Sequence, residues 1–182
     1  MTTIRIYPDH DPTNLLFTTS NISKIQHHLS DIGIHFEQWP VHAELQPGVA
    51  PEQVLSRYAD DVERLQQQHG YQSVDVISLD SSHPDKAALR QKFLQEHTHG
   101  EDEVRFFAAG EGLFTIHLQQ RVFEVHCVAG DLIKVPANTP HWFDMGPNPG
   151  FVAIRWFTNP EGWVAQFSGS DIANLFNRLD NH

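Results

Sequence analysis

The residues in this chain best suited to chemistry are four potential metal ligands carried on two stretches. The first stretch is His97-Thr98-His99-Gly100-Glu101-Asp102-Glu103-Val104-Arg105-Phe106-Phe107. Alternate side chains of an extended strand point to one face, so His97 and His99 can converge on a single ion. Glu103 and Arg105 share that odd parity once the chain enters the Val-Arg-Phe-Phe run. Glu101 and Asp102 compete with Glu103 for the carboxylate role. Parity alone does not exclude Glu101, but Gly100 is expected to break the strand before it, and Glu103 is taken as the ligand. The second stretch, Gly130 to Phe143, brings His141. Imidazole nitrogen together with carboxylate oxygen suits a divalent first-row metal. The chain has 13 histidines, but His27 and His28 fall on a polar helix face. Spacing, not surplus, argues for a metal.

These ligands need a rigid frame, and the chain changes character where they begin. Before His97 the reading is mixed. Ile22, Ile25, Leu29 and Ile32 recur at helical spacing and Gly33 ends that helix. Ile34 to Val41 reads as a strand ending at Pro40. Pro51 opens a helix with Val54, Leu55, Tyr58, Val62 and Leu65 on one face and Gly70 closing it. Tyr71 to Leu79 reads as a strand, and Ser81 or Ser82 caps a helix from about Pro84 to Gln95 that buries Leu89 and Phe93. From His97 onward, short β-type runs succeed one another: Val104 to Phe107, Leu113 to Leu118, Val122 to Val128, Leu132 to Val135 and Phe151 to Phe157. Turns are expected at Ala109-Gly110, Gln119-Gln120, Gly130-Asp131 and Gly146 to Gly150. Even spacing of short strands predicts an all-β sandwich or barrel. Asp171 to Leu179 reads as a closing helix. No repeat or low-complexity linker divides the chain, so the expectation is one domain over 1–182, with elements of 1–95 wrapping a barrel whose motifs lie in 96–167.

Composition narrows the function further. Acidic residues outnumber basic ones 23 to 12 and the formal net charge is −11. That argues against a nucleic-acid or anionic-membrane partner, which needs clustered Lys and Arg. The one cysteine, Cys127, allows no internal disulfide. No apolar run at the N-terminus has signal-peptide length, and none elsewhere is long enough to span a bilayer. A cytoplasmic protein is expected, and a monomer is compatible with the sequence.

The two histidine stretches resemble the paired signature of the cupin superfamily. In its first motif two histidines lie one residue apart, a glutamate follows four beyond the second, and a glycine seven further on: here His97, His99, Glu103 and Gly110. In its second motif a proline follows a glycine by six residues and a histidine follows by five more: here Gly130, Pro136 and His141. The chain departs from the pattern at Gln91, Asn138 and Met145, none of them a ligand. Asn138 can take the left-handed conformation that the usual glycine supplies. The resemblance implies a mainly β cupin fold, a double-stranded β-helix or jelly-roll barrel with flanking helices.

A cupin signature fixes a fold and a metal more than a reaction. From Glu96 to about Phe167 the chain looks like acireductone dioxygenase. The residues that carry this are Glu96-His97-Thr98-His99, Glu103 to Phe107, Gly112-Leu113-Phe114, Asp131-Leu132-Ile133, Val135-Pro136-Ala137, His141-Trp142-Phe143-Asp144-Met145-Gly146, Ile154-Arg155 and Pro160-Glu161-Gly162-Trp163. The N-terminal half matches loosely. The resemblance implies O2-dependent cleavage of 1,2-dihydroxy-3-keto-5-methylthiopentene in methionine salvage. In that family Fe2+ gives 4-methylthio-2-oxobutanoate and formate, whereas Ni2+ gives 3-methylthiopropionate, formate and carbon monoxide. One ion per chain is expected, and imidazole and carboxylate suit either metal.

Four protein ligands on an octahedral ion leave two positions, which the adjacent oxygens of an enediolate could fill as a chelate. Arg105 is expected to meet the substrate's negative charge with directed hydrogen bonds. The competing reading is a structural ion pair with Asp131, Asp144 or a neighbouring glutamate. Phe93, Phe143 and Trp163 are candidates for an apolar wall around the methylthio tail. Arg155, a charge in an apolar strand, must have a partner and is a second substrate-binding candidate. Glu96, beside the first ligand, is expected to orient it or to assist proton transfer. Two rival readings are another metal-dependent cupin enzyme and a non-enzymatic iron-binding cupin regulator. A zinc hydrolase fits less well, because such sites hold the ion by three protein ligands.

Overall fold

The computed structural model describes residues 1–42 and 44–181. In chain order the N-terminal elements are β1 (Thr3–Pro8), β2 (Phe17–Thr19), α1 (Ile22–Ser30), β3 (His35–Gln38), α2 (Pro51–Arg57), α3 (Ala59–His69), β4 (Ser73–Leu79) and α4 (Lys86–Leu94). Seven strands follow: β5 (His97–Thr98), β6 (Glu103–Leu118), β7 (Arg121–Val128), β8 (Asp131–Val135), β9 (His141–Asp144), β10 (Phe151–Phe157) and β11 (Gln166–Phe167).

These strands form two antiparallel sheets that share β6. The first half of β6 lies between β8 and β10, with β3 and β4 outside them. Its second half lies between β7 and β9, with β1 and β2 beyond β7, and β5 and β11 beyond β9. The expected turn at Ala109-Gly110 is therefore a crossing point within one continuous strand. Gly110 sits at φ +72°, and a Cβ there would fall 1.8 Å from the Gly150 carbonyl oxygen. A residue without a side chain lets the strand bend from one sheet into the other. By contrast, Gln119 and Gln120 do form the expected turn between β6 and β7, both at positive φ, as a two-residue type I′ hairpin requires.

The inner faces of both sheets meet in one core that includes Phe107, Phe114, Val125, Ile133, Phe143 and Phe151. The outer face of β6 and β10 is also covered. Val104, Phe106, Ile154 and Trp156 pack with Val54, Tyr58 and Leu65 of the α2–α3 region. Burial on both faces explains why the first half of β6 lacks the polar alternation of a half-exposed strand. The single helix expected from Pro51 to Gly70 is broken at Tyr58, whose φ of −110° is not helical. Tyr58 is buried edge-on against Phe106, and the chain bends to keep it there.

Three other expectations change. β1 carries inward Ile4 and Ile6 and pairs with β7 along its whole length, although the sequence reading assigned it nothing. The third helix starts later, at Lys86, with no side-chain cap from a serine, and leaves Leu89 and Phe93 only partly buried. The expected closing helix is a 3-10 turn over Ile172–Leu175 and another over Leu179–Asn181. Between them the backbone is drawn to polar partners instead: Asn177 donates to buried Glu124, and the Leu179 amide to Asp144. No helix among the described residues is long and apolar enough to cross a membrane. The architecture is mainly β with flanking helices, a cupin-type barrel.

Candidate metal centre

The ends of four strands meet at one mouth of the barrel. β5 pairs with β9 so that His97 lies opposite His141, and His99 follows just beyond β5. Asn138, at φ +62°, donates its amide to the His99 carbonyl. The left-handed residue thus ties the loop before His141 to the His-x-His segment. Glu103 opens β6, paired with Val135 on one side and Phe157 on the other.

The three imidazoles each present one nitrogen such that these atoms lie within 4.8 Å of one another. All three rings are fixed from behind by a backbone carbonyl. His97 Nδ1 meets Gln95 O at 2.7 Å, His99 Nδ1 meets Val164 O at 3.2 Å, and His141 Nδ1 meets Thr139 O at 2.8 Å. A carbonyl only accepts, so Nδ1 carries a proton in each ring, and in a neutral imidazole Nε2 is then the nitrogen that keeps a lone pair for a metal. Glu103 Oε2 lies 3.2 Å from His99 Nε2 and 3.6 Å from His141 Nε2. Both Glu103 Oε2 and His141 Nε2 are buried without a hydrogen bond. Lone pairs converging in a buried pocket repel unless a cation sits among them. The residues present therefore fit a metal ion. Burial, and then the neighbouring His141, push His97 down to about 3, which keeps it neutral and able to ligate. Burial raises the Glu103 carboxyl, but Arg105, His141 and His99 outweigh it and hold the group well below its ordinary value.

The competing carboxylates are occupied elsewhere. Glu101 accepts from the Thr158 hydroxyl and from Asn159 Nδ2, and Asp102 accepts from the Ala137 amide at 2.8 Å. Of the ion-pair partners weighed for Arg105, the structure brings it the neighbouring glutamate, Glu103, and neither Asp131 nor Asp144. Its Nε and Nη2 reach Glu103 Oε1 at 3.1 and 3.0 Å, while Nη1 is buried without a partner. The guanidinium lies 4.6 Å from the Phe143 ring centre and 5.2 Å from that of Phe114. Asp144 instead binds Arg90, and Asp131 holds Thr2, Gln38 and the Val128 amide.

Phe93, Arg105, Phe143, Arg155 and Trp163 all line the cavity that holds the three histidines. Trp163 is half exposed, so the wall is open on that side. Lys92, Ala165 and Phe167 also line it and were missed by sequence reasoning. Lys92 had a detectable signal, since it neighbours Phe93, whereas the return of Phe167 to His97 through β11 is a long-range pairing. Arg155 has the partner it needed in Asp75 of β4, at 2.9 and 2.6 Å.

Glu96 is the expected residue that does not reach the cavity. It precedes His97 in the chain and its carboxylate turns away, to His117 Nδ1 at 2.7 Å; His117 Nε2 in turn meets Asp9 at 3.1 Å. The Glu96 carboxylate is thus engaged with His117 and does not line the cavity, contrary to the expected place beside the first ligand. Instead this trio links the end of β1 to β5 and β6. Burial lowers the His117 pKa, but bonds to Asp9 and Glu96 more than offset this and leave it raised. A raised folded-state pKa contributes stability that is fully present below the unfolded value of about 6.5 and lost as pH rises through the folded value. The stability gap between wild type and His117→Gln should therefore shrink as denaturation is repeated at rising pH above neutrality. A gap that widens with pH would contradict a protonated His117.

Comparison with known proteins agrees with this geometry. Residues 3–165 match the model of the ARD/ARD' family. The acireductone dioxygenase of Pseudomonas paraeruginosa is 50% identical over 181 residues, covering 100% of both chains, and that of Alcanivorax borkumensis is 51% identical over 176 residues, covering 97% of both. Among solved structures, the acireductone dioxygenase from Bacillus anthracis with a cadmium ion in its active centre superposes with a TM-score of 0.79. It is 32% identical, over 92% of this chain and 98% of that one.

Proposed function

The chain belongs to the ARD/ARD' family and acts as a metal-dependent dioxygenase on acireductone, and from that premise we propose that His97, His99, Glu103 and His141 hold one Fe2+ or Ni2+ ion. The observation that carries the ligand set is the convergence of three backbone-fixed imidazoles on a buried, unbonded carboxylate oxygen. Bound there, such an ion would supply Lewis acidity toward an enediolate and redox access to O2. The chain's own residues do the rest. Arg105, fixed through Glu103, aims the free N–H of its buried Nη1 at an incoming oxygen. Arg155 adds a second cation to the same wall. Phe93, Phe143 and Trp163 offer apolar surface to the methylthio tail and exclude water from the reacting carbons.

We place the reaction in methionine salvage in the cytoplasm, performed by a monomer of one domain, residues 1–95 bracing the barrel of 96–167. Metal-free protein reconstituted without oxygen should, on adding acireductone and O2, give formate and 4-methylthio-2-oxobutanoate with Fe2+. With Ni2+ it should give 3-methylthiopropionate, formate and carbon monoxide. Identical products from both forms would overturn metal control of the outcome, and metal uptake without consumption of acireductone would remove that substrate.

A further inference from the structure

The inner face of one sheet carries a row of charges that the ligand set does not explain. Arg155 on β10 lies in register opposite Arg105 on β6 and, on its other side, opposite Asp75 on β4. Like charges directly opposite on neighbouring strands repel, and both guanidinium groups face one cavity. Each is matched to its own carboxylate: Arg105 to Glu103, and Arg155 to Asp75 by two parallel bonds, Nε to Oδ1 at 2.9 Å and Nη2 to Oδ2 at 2.6 Å. Asp75 lies outside the cavity lining, and both of its carboxylate oxygens accept from Arg155. Its half-buried carboxylate is the group that fixes the direction of the Arg155 fork.

We propose that Asp75 is a positioning residue for substrate binding, holding Arg155 beside Arg105 so that the two cations face one anionic substrate together. The proposal rests on the acireductone reading above. It also gives β4, in the N-terminal half, a part in the site through Arg155. Without the Asp75 charge, Arg155 loses the anchor that opposes repulsion from Arg105, and the fork turns away from the cavity. Substrate affinity should suffer more than the chemical step, because the histidines, Glu103 and Arg105 are untouched.

The test is a double-mutant cycle with Asp75→Asn, Arg155→Gln and the pair, with Asp75→Glu as the conservative variant. Acireductone kinetics would be read on iron-loaded protein, and oxalate titrated by calorimetry into zinc-loaded protein as a stable anion with two adjacent oxygens. Asp75→Asn should raise KM and the oxalate Kd between about 10-fold and 100-fold, the worth of a charged hydrogen bond, with a smaller change in kcat. Asp75→Glu should restore part of the loss. In the Arg155→Gln background Asp75→Asn should add little. An unchanged KM and Kd in Asp75→Asn, or the same effect with and without Arg155, would overturn the proposal. If wild type binds oxalate but does not consume acireductone, the substrate reading fails while the oxalate cycle still decides the role of Asp75.

Discussion

Replacing His141 by Gln is expected to strip the protein of its metal and reduce acireductone consumption by at least about 100-fold, since outer-shell partners alone commonly contribute 10- to 100-fold to metal affinity. Gln fills similar space, and the change leaves the Glu103–Arg105 pair intact, so the fold should survive. His141 Nε2 is a buried nitrogen with no hydrogen bond, and its ring is locked twice over. Its Nδ1 is held by the Thr139 carbonyl, and its plane lies nearly parallel to Phe114 at 5.2 Å. A ring so constrained offers Nε2 in one direction only, toward His97, His99 and Glu103. Gln lacks an aromatic plane for Phe114 and offers a weakly ligating amide oxygen. Metal content after dialysis, measured beside the melting curve, checks this. A fully metallated His141→Gln protein would remove His141 from the ligand set.

How far this site could be read from the sequence depends on whether local geometry decided each residue. The pairing of His97 with His99 was legible because strand parity is local. The carboxylate was harder, since three acidic residues stand within Glu101 to Glu103. What separates them is the set of distant partners, Thr158, Asn159 and Ala137, that occupy the first two. Glu96 failed for the opposite reason. Adjacency to a ligand suggested a shared site, yet neighbours on an extended chain face opposite ways, and the carboxylate meets His117 instead. In the fold, Gly110 was read as a boundary because glycine usually punctuates strands. Here it carries one strand across two sheets, which only the approach of Gly150 makes intelligible. β1 was visible in principle, since Ile4 and Ile6 alternate with Arg5, but six residues ending in proline are a short signal. The partner of Arg155, Asp75, belongs to sheet register, a property of pairing that no single segment contains, whereas that of Arg105 is Glu103, two residues earlier on the same strand.

The second large effect is expected at Arg105. Sequence reasoning alone anticipates that Arg105→Leu lowers turnover while metal and fold stay near normal. The ion pair changes that expectation. Glu103 Oε1 receives both Nε and Nη2 of Arg105, and both side chains are buried. Leucine would leave a buried carboxylate without its guanidinium partner, and removing one partner of a buried pair destabilises proteins by about 3–5 kcal/mol. In metal-free protein that loss should appear in full as a lower denaturation midpoint. Metal binds only the folded site and supplies the missing positive charge, so saturating metal should recover most of the stability by mass action. Turnover should not recover with it. The N–H of Nη1, buried without a partner on a residue that lines the cavity, is the donor we assign to a developing negative charge, and deletion of one such donor costs on the order of 100-fold or more in rate. Lysine keeps the charge but not the fork that spans Glu103 and the cavity at once, so Arg105→Lys should regain stability before it regains rate. Wild-type turnover in metal-saturated Arg105→Leu would reduce the arginine to a structural counter-ion, and undiminished stability of the metal-free variant would show that the pair contributes nothing to the fold.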